Sequence, residues 1–127
     1  MNRVLIVDDE PHVTRVLRLQ LERAGYVVAT ALNGEAALAA IEQSRPDAVI
    51  TDIQMPRLTG RELCEQIEER FPGRTFPILL LTSRAEVEHR EWSQTMRNAV
   101  FLEKPASISR ILAELERYFT AAQLLKY

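Results

Sequence analysis

Residues 4–11 read Val4-Leu5-Ile6-Val7-Asp8-Asp9-Glu10-Pro11, an uninterrupted apolar run that ends in acidic residues and a proline. Four consecutive apolar residues have the length of a β-strand, and the backbone must turn in the acidic stretch that follows. From His12 onward, apolar residues recur at helical spacing up to Ala24, and Gly25 then ends the helix. The stretch therefore predicts a strand and a helix that are joined by an acidic turn.

The same alternation continues along the chain. Further strands are predicted at residues 26–31, 48–51, 77–81 and 99–102, and further helices at residues 35–43, 62–71, 85–96 and 107–119. Continuous apolar runs on most strands indicate burial on both faces, which is typical of a parallel sheet covered by helices. We therefore expect an α/β fold, a doubly wound, flavodoxin-like five-stranded parallel sheet.

Composition narrows the functional classes. The 127 residues carry a net charge of −2, and the sequence pI is about 5.7. This balance argues against direct nucleic-acid binding by this chain. Cys64 is the only cysteine, so no internal disulfide forms, and the N-terminal apolar run is too short for a signal-peptide core or a membrane span. We expect one cytoplasmic domain over residues 1–127, in which residues 120–127 either finish the last helix or begin a linker.

Polar residues that follow the predicted strands define the candidate site. The carboxyl ends of parallel strands collect functional groups near the point where the strand order reverses. An order of 2-1-3-4-5 brings four of the strands side by side, so that three carboxylates, one hydroxyl and one ammonium surround a single pocket. These groups belong to Asp8, Asp9, Asp52, Thr82 and Lys104.

Three carboxylates in one pocket favour a bound cation. Two unit charges about 5 Å apart repel by roughly 3 kcal/mol at an effective dielectric constant near 20. An all-oxygen site with room for waters suits Mg²⁺ or Mn²⁺. Such a metal would neutralise an incoming phosphoryl group, while Lys104 and Thr82 contact its other oxygens. The pocket is therefore predicted to transfer a phosphoryl group to an aspartate.

Four sequence pieces, in order, resemble the receiver domain of bacterial two-component response regulators, a CheY-like family, over essentially the whole chain. The pieces are Val7-Asp8-Asp9-Glu10-Pro11, Asp52-Ile53-Gln54-Met55-Pro56 with Gly60, Leu81-Thr82-Ser83 and Glu103-Lys104-Pro105. The resemblance implies that Asp52 is the phospho-acceptor and that this chain is a signalling domain rather than an enzyme with turnover.

The resemblance also implies roles for the surrounding residues. Asp9, Asp52 and the backbone carbonyl of Gln54 would bind Mg²⁺ directly, and Asp8 would act mainly through a water molecule. Thr82 would move toward the phosphoryl group, and Lys104 would pair with it. Phe101 lies where the family has its switch aromatic residue.

The expected partners also follow from the resemblance. A sensor histidine kinase or a histidine phosphotransfer protein would donate the phosphoryl group, and an output domain or effector protein would receive the signal. The surface formed by the fourth helix, fifth strand and fifth helix would change on phosphorylation, and a homodimer through it stays open. No membrane partner is expected.

The chain departs from the family before the fifth strand. Where the family often has Gly-Ala, the sequence reads Arg97-Asn98-Ala99, so that either Arg97 stands at the glycine position or Asn98 adopts the left-handed conformation. We expect His12 to be a polar residue at a helix start rather than a phosphoryl carrier. We also expect four arginines to form a solvated face, namely Arg57, Arg61, Arg70 and Arg74.

Three other functions remain open at this stage. A Mg²⁺-dependent phosphatase or dehalogenase with an aspartate nucleophile would need its two aspartates one residue apart, whereas Asp8 and Asp9 are adjacent. A flavodoxin-like electron carrier would need hydroxyls and glycines in the first loop, because aspartates repel the flavin phosphate. A receiver-like binding module that is never phosphorylated is the third alternative.

Overall fold

The computed structural model describes residues 2–53, 55, 58–82, 98–104 and 107–124. These residues form five strands and four helices. The strands are β1 (Arg3–Val7), β2 (Val27–Ala31), β3 (Ala48–Asp52), β4 (Ile78–Thr82) and β5 (Ala99–Glu103). The helices are α1 (Pro11–Arg23), α2 (Gly34–Gln43), α3 (Gly60–Arg70) and the C-terminal helix (Ile108–Leu124). The helix predicted over residues 85–96 lies outside the described residues.

The five strands form one parallel sheet in the order β2-β1-β3-β4-β5. Both the predicted strand order and the predicted parallel direction are confirmed. The order reverses at β1, so that β1 and β3 are neighbours at the centre of the sheet. Because all strands run the same way, the residues that follow β1, β3, β4 and β5 emerge at one edge.

Alternate residues of each strand build two hydrophobic layers. In β1, Leu5 and Val7 point into the layer covered by α2 and α3, whereas Val4 and Ile6 point into the layer covered by α1 and the C-terminal helix. β3 and β4 are buried along their whole length. Burial on both faces explains why these strands read as continuous apolar runs rather than as alternating patterns.

The helix boundaries follow recognisable local signals. Pro11 lies at the first turn of α1, and Gly25 has a φ of 99° after its end. Thr59 caps α3 in a capping box with Glu62, so that α3 begins at Gly60, two residues before the predicted start. Asn98 has a φ of 54°, which selects the left-handed alternative for Asn98 before β5. Beyond its predicted core, the last helix continues to Leu124.

Arg74 is not part of a solvated face, so that expectation was wrong for this residue. Its side chain is fully buried, and its Nη2 lies 2.6 Å from Oε1 of Glu68. Nη1 donates to the carbonyl oxygen of Phe76 at 2.6 Å, and the guanidinium lies over the Phe76 ring. A charge can be buried when an opposite charge and hydrogen-bond acceptors surround it, and Arg74 has both.

Among the described residues, no helix combines the length and the apolar character that crossing a lipid bilayer requires.

Candidate functional site

The carboxyl ends of β1 and β3 bring three aspartates together. Asp8 and Asp9 follow β1, and Asp52 is the last residue of β3. One carboxylate oxygen from each of Asp8, Asp9 and Asp52 lies within 4.8 Å of the others. Asp8 and Asp52 are buried, whereas Asp9 is exposed. The cluster is therefore half open to solvent, and its three oxygen donors can share one small cation.

Lys104 reaches into this cluster from the end of β5. Its Nζ lies 2.7 Å from Oδ2 of Asp52 and donates a hydrogen bond to it. The backbone N–H of Lys104 donates to the carbonyl oxygen of Thr82 at 2.6 Å, which fixes the turn after β5 to the end of β4. The ammonium of Lys104 thus balances part of the charge of the three carboxylates.

The surroundings of Asp8 perturb its acidity. Burial raises the pKa of the Asp8 carboxyl, and the negative charges of Asp52 and Asp9 add to this rise. The backbone N–H of Glu10, which donates to Oδ1 of Asp8 at 3.0 Å, and the ammonium of Lys104 oppose it. A raised pKa means that the negative charge on Asp8 is destabilised, so a cation placed beside it would be favoured.

The backbone of Asp52 is held on both sides. The backbone N–H of Ile53 donates to the carbonyl oxygen of Leu81 at 3.2 Å, and the buried hydroxyl of Thr51 donates to the carbonyl oxygen of Asp52 at 3.0 Å. Neither Thr51 nor the Thr59 cap of α3 was among the predicted functional residues. The spacing of Thr59 and Glu62 is a readable capping signal, but no sequence pattern reports the Thr51 contact.

Thr82 and Phe101 occupy neighbouring strands beside the cluster. Thr82, the last residue of β4, is buried. Phe101 pairs in register with Leu80 of β4, is half-buried and packs against the layer under α2 and α3. Gln54 lies outside the described residues, so its predicted carbonyl ligand stays a prediction.

A groove of about 640 Å³ opens beside the cluster. Its polar wall contains Asp8, Asp52 and Lys104, and its apolar wall contains side chains of α1 and Ile111 of the C-terminal helix. His12 lies at the rim with three quarters of its side chain exposed, and its Nε2 is 3.5 Å from Oε2 of Glu10. This exposed location at the start of α1 agrees with the expectation of a polar helix-start residue.

Comparison with known proteins decides the family. The family model of the response regulator receiver domain matches residues 4–116. The chain belongs to this family. Response regulator receiver domains are the signalling domains of two-component systems, and every described residue of the acidic cluster lies within the matched range.

Relatives and solved structures agree with this assignment. The chain is 41% identical to response regulator MprA of Mycolicibacterium vanbaalenii over 113 residues, which cover 89% of this chain and 48% of that protein. It is 32% identical to the alkaline phosphatase synthesis transcriptional regulatory protein PhoP of Bacillus subtilis, covering 96% of this chain and 50% of that protein. The structure of chemotaxis protein CheY4 of Vibrio cholerae superposes with a TM-score of 0.84 at 32% identity, covering 92% of this chain and 98% of that one. This receiver domain thus spans about half the length of the curated relatives it matches.

Proposed function

We propose that Asp52 accepts a phosphoryl group from the phosphohistidine of a sensor histidine kinase or a histidine phosphotransfer protein. The observation that carries the proposal is the contact between Lys104 and Asp52 inside the acidic cluster. A carboxylate that is buried, that faces a groove and that has an ammonium at 2.7 Å is placed for reaction with a phosphorylated donor.

The transfer would proceed by displacement at phosphorus. An oxygen of the Asp52 carboxylate attacks the phosphorus atom, and the bond from phosphorus to the histidine nitrogen breaks as the new bond forms. The imidazole leaves with the electron pair of that bond and keeps the proton on its other nitrogen, so it departs as a neutral ring. The product is an acyl phosphate on Asp52.

The acidic cluster fits Mg²⁺. Its donors are all oxygens, they lie within 4.8 Å of one another, and burial together with Asp52 already raises the pKa of Asp8. Asp9, Asp52 and the carbonyl of Gln54 would hold the ion, and Asp8 would contact it mainly through water. When bound, Mg²⁺ would neutralise charge on the phosphoryl oxygens.

Two side chains would bind the remaining phosphoryl oxygens. The ammonium of Lys104 would exchange its contact with the free carboxylate for a contact with the phosphoryl group, because the negative charge moves there. Thr82 would donate a hydrogen bond from the end of β4. Phe101 would follow as the switch aromatic residue.

We further propose a signalling role without turnover of a separate substrate. The change would reach an output domain or an effector protein through one surface. This surface would consist of the region that connects β4 to β5, of β5 itself and of the C-terminal helix. A homodimer through the same surface remains an alternative. The chain would act in the cytoplasm, as one domain, and without direct contact to nucleic acid or membrane.

Treatment with acetyl phosphate and Mg²⁺ tests the acceptor. The intact mass of the parent should rise by one phosphoryl group, which acid-base lability identifies as an acyl phosphate. Asp52→Asn should take up no phosphoryl group. His12→Gln should behave like the parent, and so should Asp47→Asn, because Asp47 lies at the opposite end of β3. Incorporation at His12 would contradict the proposal, and steady hydrolysis of p-nitrophenyl phosphate would support the phosphatase alternative instead.

A further inference from the structure

The glycine at the start of α3 lies directly against the backbone of Asp52. The N–H of Gly60 donates to the carbonyl oxygen of Ile53 at 2.8 Å. A methyl group on Gly60 would lie 2.6 Å from the Cα of Ile53 and even closer to the carbonyl oxygen of Asp52. Real Cβ atoms essentially never show contacts below 3.0 Å, so a side chain at position 60 would displace backbone atoms of the phospho-acceptor segment.

Neither side of this contact can retreat easily. On one side, the start of α3 is fixed by the capping box, in which Thr59 accepts from the N–H of Glu62 at 3.2 Å and donates its own N–H to Glu62. On the other side, Asp52 is a sheet residue in register with Leu81. Two rigid elements therefore meet at Gly60, and any added atom separates them by roughly half an ångström.

A second glycine, Gly34, makes a close contact with Leu58, which lies just before the start of α3. The side chain of Leu58 packs over Gly34 at the start of α2, where a methyl group would lie 2.8 Å from Cγ of Leu58. This contact differs in kind from that of Gly60, because the atoms met belong to a side chain that can be shortened. The two glycine contacts together place Leu58 against the start of α2 and Gly60 against the backbone of the acceptor.

From this geometry we infer that Gly60 is a positioning residue for phosphoryl transfer, which sets where the Asp52 carboxylate stands relative to Asp8, Asp9 and Lys104. The inference rests on the proposed function of Asp52. Displacing a reacting group by about 1 Å costs on the order of 10²-fold in rate, so a shift of about half that size should be measurable. The conformation of Gly60 itself does not require glycine, because no left-handed φ is found there; the close approach alone requires it.

The main test compares Gly60→Ala with the parent. The rate of Asp52 phosphorylation by acetyl phosphate at saturating Mg²⁺, measured per folded molecule, should fall roughly tenfold or more. The Mg²⁺ dissociation constant, measured by calorimetric titration, should rise as well, because the cluster loses its spacing. A merely structural role would lower the unfolding midpoint and leave both of these quantities unchanged for the folded protein.

Gly73→Ala is the matched control, because among the described residues, apart from its own chain neighbours, no heavy atom lies within 4 Å of the added methyl group. It should phosphorylate like the parent. Gly34→Ala should slow phosphorylation, and Leu58→Ala in the same chain should restore most of the rate, since it removes the two closest atoms, Cδ2 and Cγ, and leaves only the Cβ, at 2.9 Å. If Gly60→Ala does not fold, the combination of Gly34→Ala with Leu58→Ala tests instead whether the packing of Leu58, just before α3, affects phosphorylation of Asp52.

The measurements distinguish failure of phosphorylation at Asp52 from failure of the positioning role of Gly60. If the parent takes up no phosphoryl group, the proposed function fails, whatever Gly60 does. If the parent is phosphorylated and folded Gly60→Ala matches it in rate and Mg²⁺ affinity, the positioning role is overturned. If Gly60→Ala is unfolded and Leu58→Ala fails to rescue Gly34→Ala, the inference is overturned too.

Discussion

The Nζ of Lys104 lies 2.7 Å from Oδ2 of Asp52, although the two residues are separated by two strands in sequence. The carboxylate is largely buried and the lysine side chain is 40% exposed. A double-mutant cycle with Asp52→Asn and Lys104→Met should give a coupling free energy of about 1 kcal/mol or less, because water screens the exposed ammonium.

The same variants separate stability from function. Lys104→Met should phosphorylate more slowly than the parent, because one phosphoryl oxygen then lacks its cation, even though the cost in stability is small. The cycle is measured by urea unfolding in chelator, and the exposed pair Arg61 and Glu65 of α3 provides a reference. A coupling energy well above that of an exposed pair would show that the ammonium is more shielded than its exposure indicates.

Mg²⁺ should stabilise the folded protein, because it relieves the repulsion among Asp8, Asp9 and Asp52. At a hundred times its dissociation constant, a ligand that binds only the folded state adds about 2.7 kcal/mol to the free energy of unfolding. The unfolding midpoint in Mg²⁺ and in chelator measures this gain. An unchanged midpoint would mean that the cluster does not bind the ion.

Asp52→Asn removes one of the three charges and should be at least as stable as the parent in chelator. The relief of repulsion within 4.8 Å outweighs the loss of one partly exposed ion pair. Mg²⁺ should stabilise this variant less than the parent, whereas Asp47→Asn should respond like the parent. A marked loss of stability of Asp52→Asn in chelator would contradict this account.

Asp8 should make the apoprotein less stable as the pH rises. Its folded-state pKa is raised above the ordinary value of 3.8, so the folded state binds the proton more tightly than the unfolded state. The resulting stabilisation is fully present below the unfolded pKa and is lost as the pH rises through the folded pKa. Asp8→Asn, which keeps an acceptor for the N–H of Glu10, should therefore be more stable than the parent at neutral pH in chelator.

The difference between Asp8→Asn and the parent should shrink as the pH falls toward the ordinary pKa of an aspartate, because both side chains are then neutral. Urea unfolding at several pH values in chelator measures it. A difference that stays constant with pH would assign the gain in stability to something other than ionisation of Asp8.

Arg74→Met should be strongly destabilising, at about 2 to 3 kcal/mol. The substitution leaves the Phe76 carbonyl without its donor in a buried place, and it leaves the partly exposed Glu68 carboxylate without its cation. Arg70→Met, at an exposed position near the end of α3, should change stability by about 0.5 kcal/mol or less. Chemical unfolding of both variants gives the comparison, and similar values for the two would contradict the buried role.

The strands, their order and the acidic cluster could be predicted because each of them depends on a pattern of residue types that is visible in the sequence. Apolar runs indicate burial on both faces, and the order 2-1-3-4-5 brings the acidic and basic residues at the strand ends together. The burial of Arg74 could not be predicted, because one arginine in a polar stretch looks the same whether it points outward or reaches Glu68. The contact of Gly60 with the Asp52 backbone could not be predicted either, because a glycine between a strand and a helix usually indicates a turn.

The left-handed residue before β5 shows an intermediate case. The sequence offered Arg97 and Asn98 and could not choose between them. The structure selects Asn98, whose carbonyl oxygen accepts from the N–H of Ile78 at 2.8 Å, so this residue also registers β5 against β4. Which of two adjacent residues adopts the left-handed conformation depends on the register of the strands, and the residue types alone do not determine that register.

Thr82 and Phe101 are the two residues expected to switch on phosphorylation. Thr82 ends β4 in a buried position, and Phe101 packs half-buried on the neighbouring strand, against the layer under α2 and α3. If Thr82 moves toward a phosphoryl group on Asp52, it vacates space that the Phe101 ring can enter. A packed core responds to such a vacancy by changing between discrete arrangements, because it does not deform continuously.

Trp92 is the chain's only tryptophan and lies in sequence between these two residues, outside the described part of the structure. Its fluorescence should therefore change when beryllofluoride and Mg²⁺ mimic the phosphorylated state. The change should vanish in Asp52→Asn, because the mimic has no carboxylate to bind, and it should shrink in Thr82→Ala, because the hydroxyl that moves is missing. Phe101→Leu serves as a further variant, since it keeps an apolar side chain but removes the ring. An unchanged Trp92 signal at saturating beryllofluoride, with binding shown independently by calorimetry, would mean that the segment between Thr82 and Phe101 does not carry the switch in this receiver domain.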